Sequence, residues 1–475
     1  MNLLDPFLRS AEQHGDRTAI VAGNGDRTSF ADLITASSTL ASAWRRAGIG
    51  RGDRVLIAMP LGPSLYAGLA ALWRIGAVAV LPEPALGLAG LRHAARATAP
   101  KAYLSAGWFR ALRYLVPELW PIRLMLTPDD ARVSGEPLEA LTPEHPALIS
   151  FTSGSTGRPK AIQRSHGFLA AQSAVLADLL APRREDETDL VAFPVFVVAN
   201  LGLGVTSVLP SWNLRRQDRA EAGLIAEQIS LQEVTRALLP PSVCETLARS
   251  DAPLRLDAVF TGGGPVFPDL MERLSAKIPE AGIVAVYGST EAEPIAHLHH
   301  RDIGPNDWSA MKSGAGLLAG RPVDTVQLAI LDDEIVVTGD HVNKGYLDPA
   351  DDASTKLKRA GQIWHRTGDA GHLDAEGRLW LGGRLDGRAG QLLPFGIEAA
   401  SRFWPGVRRS ALVEIGGKSQ LAVEGDQDKM PVWTRAAALI GDVRVVGMDE
   451  IPLDKRHRSK VDYVALRARL QGLAK

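Results

Sequence analysis

The sequence predicts an α/β protein: a large N-terminal part built on mixed, mostly parallel sheets, a β-rich part after it, and a small C-terminal α/β lid. Three observations carry this. Short apolar runs alternate with helical patterns through the first two thirds of the 475 residues. After about residue 320 the texture shifts to closely spaced strand signals. At Gly383-Arg384-Leu385-Asp386-Gly387 glycines flank charged residues, as in a hinge, and roughly 90 residues follow, enough for a small unit.

In order, Asp53-Arg-Val-Leu-Ile-Ala-Met-Pro60 reads as a buried strand, Ser64–Gly76 as an apolar helix and Ala77-Val-Ala-Val-Leu-Pro82 as the next strand. Leu88–Thr98 repeats the helical pattern. Leu190–Phe193, Ala258–Phe260 and Ile283–Tyr287 are later strands, each ending at a proline or at polar, glycine-rich residues. Beyond the C-terminal ends of parallel strands is where α/β folds place ligands. Val326–Leu331 and Glu334–Thr338 read as strands of the β-rich part, and Cys244 as a packed thiol in an apolar helix.

Composition narrows the classes. Hydrophobic content of 45% and charge of 23% are those of a globular protein. A net charge of −1 offers no basic field for nucleic acid or an anionic membrane. One cysteine excludes an internal disulfide framework and a cysteine-rich metal site, and fits a reducing compartment. The N-terminal residues show no basic segment followed by a long apolar run, and no stretch reaches the roughly 18–20 apolar residues of a membrane span. The expectation is a cytoplasmic protein with no transmembrane segment and no nucleic-acid partner.

The richest segment is Ser150-Phe-Thr-Ser-Gly-Ser-Thr-Gly-Arg-Pro-Lys160, just after an apolar strand signal. Glycines let backbone N–H groups approach an anion, hydroxyls add donors, and Lys160 adds charge for phosphate oxygens. The Walker A order is absent. Five further segments follow: Thr261-Gly-Gly-Gly-Pro265, Tyr287-Gly-Ser-Thr-Glu291, Thr367-Gly-Asp369, Gly383-Arg-Leu-Asp386 and Pro452-Leu-Asp-Lys-Arg-His-Arg-Ser-Lys460. Singly, each has a plain structural reading. The first is a tight turn. The second is a strand leading into a helix capped by Ser289 or Thr290. Asp369 is a turn aspartate, and Lys460 a solvated lysine. Together and in this order they favour nucleotide chemistry. His297, His299 and His300 have no cysteine or second cluster nearby and are not expected to hold a metal.

With these segments the chain resembles the acyl-adenylate-forming (AMP-binding) enzyme superfamily over nearly its whole length. The resemblance implies an AMP-forming acid ligase with residues 1–384 as adenylation domain and 385–475 as a mobile lid turning about the hinge Asp386. It implies that Thr152, Ser153, Gly154, Ser155, Thr156, Gly157 and Lys160 wrap the β- and γ-phosphates of ATP. Gly262, Gly263 and Gly264 would lie on one face of adenine and Tyr287 on the other. Asp369 would accept both ribose hydroxyls, with Arg384 nearby. Thr290 would bond the α-phosphate, Glu291 would hold Mg2+, and Lys460 would bridge the substrate carboxylate and the α-phosphate.

Within the superfamily, Asp454-Lys-Arg-His-Arg-Ser-Lys460, Trp364-His-Arg-Thr-Gly-Asp369, Gly377-Arg-Leu-Trp380, Arg409-Ser-Ala-Leu-Val413 and Phe193-Pro-Val-Phe196 resemble olefin-pathway β-lactone synthetases, a group often labelled fatty-acyl-CoA ligases. This implies adenylation of a β-hydroxy fatty acid followed by ring closure without CoA. The Lys-x-x-Gly-x-Arg-Ile segment that helps form a CoA tunnel in acyl-CoA synthetases is broken here, as Gly387-Arg-Ala-Gly-Gln-Leu-Leu-Pro-Phe-Gly-Ile-Glu398. A fatty-acyl-CoA ligase, with CoA or an acyl-carrier protein as acceptor, is the alternative. A non-catalytic nucleotide-binding protein is the alternative of another class. Against it stands the joint presence of Lys160, Glu291, Asp369, Arg384 and Lys460. Phe193–Leu203 reads equally as a wall of the acyl groove and as core.

Overall fold

The computed structural model describes residues 1–130, 135–152, 159–214, 220–454 and 460–473. Two sheets dominate. In one, the strands Leu124–Leu126, Ala102–Ser105, Arg54–Ala58, Val78–Val80 and Pro146–Thr152 lie side by side and parallel, and Lys160–Ser165 closes the edge antiparallel. Val55, Leu56, Ile57, Val78, Ala79 and Val80 are all buried, as strands covered on both faces require.

The second sheet has a parallel half in the order Thr18–Val21, Thr206–Val208, Thr188–Val191, Arg236–Leu239, Ala258–Gly262 and Gly282–Ser289. Beyond Gly282–Ser289 every pairing is antiparallel: Ala292–His299, Leu317–Pro322, Leu379–Arg384, Gln362–Leu373, Glu334–Thr338 and Gln327–Leu331. The β-rich part that the sequence marks off after residue 320 therefore continues the large sheet through one hydrogen-bonded path.

Helices Phe30–Arg46, Pro63–Arg74, His166–Leu179 and Pro194–Leu203 contribute to a core that takes residues from both sheets, among them Ile57, Ala79, Val191, Leu238 and Phe260. Phe30–Arg46 starts where Ser29 accepts from Asp32 N–H and Asp32 accepts from Ser29 N–H, a reciprocal cap. The C-terminal residues form a three-stranded sheet, Val407–Ile415, Lys418–Gly425 and Arg444–Met448. Its helices are Pro394–Ser401, Met430–Ala438 and Tyr463–Leu473, and two small cores lie within it.

One buried ion pair ties the parallel half together. Arg236 and Asp189, opposite each other on adjacent strands, are 1% and 0% exposed at their side chains, and the guanidinium grips both carboxylate oxygens at 2.8 and 2.9 Å. Its remaining donors reach the Leu180 and Ala181 carbonyls. Removing one partner of a buried pair costs about 3–5 kcal/mol. Arg236→Met is expected to lower the thermal midpoint clearly, with Asp189 and Glu187 left buried together. An unchanged midpoint would show that the pair contributes nothing.

Candidate active site

The site is built at the C-terminal ends of the parallel strands Ala258–Gly262 and Gly282–Ser289. Gly262 lies so close to the neighbouring strand that a Cβ there would sit 2.6 Å from the Val286 carbonyl oxygen. Gly263 follows, exposed and with a φ of 76°, and a Cβ there would sit 3.3 Å from the Phe193 ring.

Tyr287 stands on the adjacent strand, and its hydroxyl donates to Asp369 Oδ2 at 2.8 Å. Asp369 comes from the antiparallel half, on Gln362–Leu373, directly across from Arg384. Arg384 reaches Asp369 Oδ1 at 3.2 Å and the Thr367 carbonyl at 2.8 Å. The guanidinium passes over Gly368, and it is the φ of 72° there that favours glycine in Thr-Gly-Asp. Burial raises the Asp369 carboxyl, against the pull of the Arg384 charge, the Tyr287 bond and the Lys460 charge. Lys460 therefore acts electrostatically on Asp369, although it belongs to the C-terminal sheet unit. Its backbone is fixed against Asp454, with Lys460 N–H on Asp454 Oδ1 at 3.1 Å and Asp454 N–H on the Lys460 carbonyl at 2.8 Å.

A second group forms around Tyr346. Its hydroxyl donates to Glu291 Oε1 at 2.8 Å. The Lys160 ammonium lies 5.3 Å from the Tyr346 ring centre and the Lys356 ammonium 5.1 Å. Lys356 also reaches the Asn343 carbonyl at 2.5 Å and His365 Nδ1 at 3.2 Å. The same Nδ1 also lies 3.3 Å from the Thr355 carbonyl. Burial, the Lys356 and Lys160 charges push His365 down to about 4, and burial brings Lys356 down to about 8. Burial raises the Glu291 carboxyl, but His365, the Tyr346 hydroxyl, backbone N–H and Ser289 outweigh it and hold it below the usual carboxylate range. Arg164 donates to the Thr290 carbonyl at 2.6 Å, and Asn343 N–H to the Glu291 carbonyl at 2.7 Å.

Of the predicted site residues, Tyr287, Asp369 and Arg384 are thus in direct contact, with Lys460 within reach of their charges. Lys160 and Glu291 meet around Tyr346. Thr152 and Lys160 pair across two strand ends. Ser153, Gly154, Ser155, Thr156 and Gly157 lie outside the described residues. Asp386 is 3.7 Å from Arg384, in the short 3-10 turn Leu385–Gly387. One expectation is corrected: no helix capped by Ser289 or Thr290 follows Tyr287. Ala292–His299 turns back and pairs antiparallel with Gly282–Ser289, so Thr290 and Glu291 occupy a hairpin turn. Tyr346, Lys356, His365 and Arg164 were missed as site members. His365 sat inside a recognised segment, but nothing marked the others.

Phe193 and Phe196, with Leu176, Phe260 and Val286, line an apolar cavity of about 30 Å3 that reaches Gly262 and Gly263. The rest of Pro194–Leu203 is mostly core: Val197, Ala199, Asn200 and Leu201 are buried. The stretch is both wall and core. A broader cleft of about 800 Å3 lies at the opposite, N-terminal ends of the strands, lined by Thr18, Thr188, Thr206 and Asp257. His297 and His299 pack edge-on at 5.6 Å, and no group of three or more metal-ligating side chains forms among the described residues. Cys244 is fully buried in Pro241–Arg249.

The C-terminal unit is seated on the large body by side chains of its first helix and the residues just after. The Arg402 guanidinium lies 4.2 Å from the Phe267 ring centre and 4.0 Å from Asp269. Phe395 packs edge-on to Phe267, Phe403 packs edge-on to Trp308, and Arg409 reaches Glu245 at 3.7 Å.

Comparison with known proteins gives a consistent picture. Residues 7–347 match the family described as AMP-binding enzyme. The olefin beta-lactone synthetase of Stenotrophomonas maltophilia is 28% identical over 447 residues, covering 83% of this chain and 81% of that protein. A feruloyl-CoA synthase of an Amycolatopsis species is 28% identical over 469 residues, covering 90% and 91%. The ATP-bound structure of MatB from Rhodopseudomonas palustris superposes with a TM-score of 0.83 over all of both chains at 21% identity, a likeness of fold.

Proposed function

This chain belongs to the AMP-binding enzyme family and is an AMP-forming acid ligase, and from that premise we propose that it adenylates a fatty or β-hydroxy fatty acid and then closes a β-lactone. The observation that supports the first step most directly is the meeting of Tyr287, Asp369 and Arg384 under the influence of Lys460. A ribose and an α-phosphate need those groups side by side.

In the first half-reaction the substrate carboxylate attacks the α-phosphorus of ATP in line and pyrophosphate leaves. The protein's task is positioning and charge stabilisation. Gly262, Gly263 and Gly264 present backbone to one face of adenine and Tyr287 its ring to the other. Asp369 accepts the ribose hydroxyls and Arg384 orients its carboxylate. Thr290 donates to the α-phosphate, and Thr152, Lys160 and the loop between them hold the β- and γ-phosphates. Lys460 spans the carboxylate and the α-phosphate, where negative charge develops. Residues 1–384 then form the adenylation domain and 385–475 a lid hinged at Asp386.

Glu291 fits a hard divalent cation: its carboxylate is held ionised, and the cluster's lysines mark a phosphate-binding end. Bound there, Mg2+ would offset charge on the triphosphate. Tyr346 then orients a metal ligand, and such partners typically change metal affinity by about 10–100-fold. Tyr346→Phe is expected to raise the Mg2+ concentration for half-maximal pyrophosphate exchange by about that much. An unchanged Mg2+ dependence would remove Tyr346 from this role.

In the second half-reaction the β-hydroxyl oxygen of the acyl-adenylate attacks its own acyl carbon, loses its proton, and AMP departs. The relationship to an olefin beta-lactone synthetase over most of both chains and the broken Gly387–Glu398 segment support this reading. The feruloyl-CoA synthase supports the second one, transfer to CoA or a carrier thiol. In either case Phe193 and Phe196, which line the apolar cavity reaching Gly262 and Gly263, are the side chains we expect beside the acyl chain.

The test is mass spectrometry of the protein with Mg·ATP and matched fatty, 3-hydroxy and 2-alkyl-3-hydroxy acids, with and without CoA. A product lighter than the hydroxy acid by one water, formed without CoA, is expected. Acyl-CoA formed only with CoA would replace lactone closure by the ligase reading. AMP with neither product would point to a carrier-protein acceptor.

A further inference from the structure

The exposed aromatic side chains of the described residues fall within one short segment, between residues 108 and 120. Trp108, Tyr114 and Trp120 are 62%, 75% and 63% exposed, and Leu115 beside them is 71% exposed. The same segment also buries an inner row, Leu112, Val116, Leu119 and Ile122. It therefore turns large apolar side chains outward as well as inward, whereas a surface element normally turns polar side chains outward. The outer row is presented by short helical turns, Gly107–Ala111, Leu112–Leu115 and Pro117–Leu119. Trp108 stacks on Phe109 at 4.1 Å, and the Phe109 carbonyl accepts from the buried Tyr103 hydroxyl at 2.9 Å.

Arginines surround this face. Arg92 and Arg96, on the adjoining helix Gly87–Thr98, share Glu118 at 3.0 and 3.6 Å, and Arg110 pairs with Asp129. Arg113 and Arg123 form no ion pair among the described residues. Five arginines against Glu118, Asp129 and Asp130 leave a local charge of +2 in a chain whose net charge is −1. Asp130 turns inward, accepting from Trp44 Nε1 and Thr127 N–H.

We propose that this face is a docking surface for an anionic lipid bilayer. Tryptophan and tyrosine rings settle at the headgroup level, and a protruding leucine enters the acyl boundary. Arginines at the rim meet lipid phosphates. No described helix is long and apolar enough to cross a membrane, so the contact is superficial. A second copy bound through the same face would set +2 against +2, which disfavours self-association as the occupant. The proposal is independent of which acid is activated.

The experiment is co-sedimentation of the full chain with vesicles of phosphatidylcholine alone and of phosphatidylcholine mixed with phosphatidylglycerol. Binding to the mixed vesicles, weakened by salt and at least tenfold weaker on phosphatidylcholine alone, is expected. The variant carrying Trp108→Ser, Tyr114→Ser, Leu115→Ser and Trp120→Ser should lose at least tenfold in binding, with pyrophosphate exchange unchanged. Should that variant fail to fold, Arg113→Glu with Arg123→Glu carries the same test. No binding by the unaltered protein, or equal binding by the variants, overturns the proposal. A dimer abolished by the same substitutions, or capture of an acidic carrier protein without vesicle binding, assigns the face to a protein partner and overturns it as well.

Discussion

Lys460→Ala should reduce acyl-adenylate formation by about 10²–10³-fold while ATP still binds. The lysine acts from the C-terminal unit onto a site built by the large sheet, and its charge already counts at Asp369. In its proposed role the ammonium meets the charge that builds on the attacking carboxylate and the α-phosphate, so its removal is expected to act on the transition state more than on the ground state. Pyrophosphate exchange reads the chemical step and equilibrium ATP binding reads the ground state. Loss of exchange with retained binding is the expected split. Near-normal exchange would take Lys460 out of the mechanism. Lys460→Arg is not expected to restore the rate, because a planar guanidinium does not replace a compact ammonium.

The second large effect is on nucleotide affinity. Asp369→Ala removes a carboxylate held by Tyr287 and Arg384 and, in the proposed role, two hydrogen bonds to the ribose. Hydrogen bonds to a charged group are worth about 1.5–3 kcal/mol each, so ATP should bind about 10²–10⁴-fold more weakly. Asp369→Asn separates charge from shape: it keeps the volume and still accepts one ribose bond, and should fall between the two. An unchanged ATP affinity in Asp369→Ala would end its ribose role. Loss of folding would be visible in the thermal midpoint, and the Asn variant guards against that reading.

Much of the architecture was legible because burial writes itself into strands. Val55–Ile57 and Val78–Val80 are continuous apolar runs and proved to be buried parallel strands. Glu334–Thr338 came out with the predicted bounds. The ordered motifs also brought their neighbours to light: Thr-Gly-Asp369 and Gly-Arg384 are separate in sequence yet lie across from each other on adjacent strands. The turn after Tyr287 was not legible. Ser289 and Thr290 before Glu291 resemble a helix start, and local preference yields there to pairing with Gly282–Ser289. Nor could the sequence show Tyr346 holding Glu291, since 55 residues separate them and Asn343-Lys-Gly-Tyr346 carries no periodic signal.

Through its family resemblance the sequence implied acid activation; by itself it determined the α/β class, the strand ends that carry the motifs, and a nucleotide chemistry. Those depend on local features: apolar periodicity, glycine where backbones must approach, and residue types suited to phosphate and ribose. Only the tertiary structure decided that the β-rich part continues the large sheet, that Lys160, Lys356, His365 and Glu291 gather around Tyr346, and that the Lys460 charge acts on Asp369. Their physical reason is the same in each case. Charges and hydroxyls far apart in the chain interact only when strand pairing and side-chain packing bring them together in a place water has largely left, and no local pattern encodes that distance.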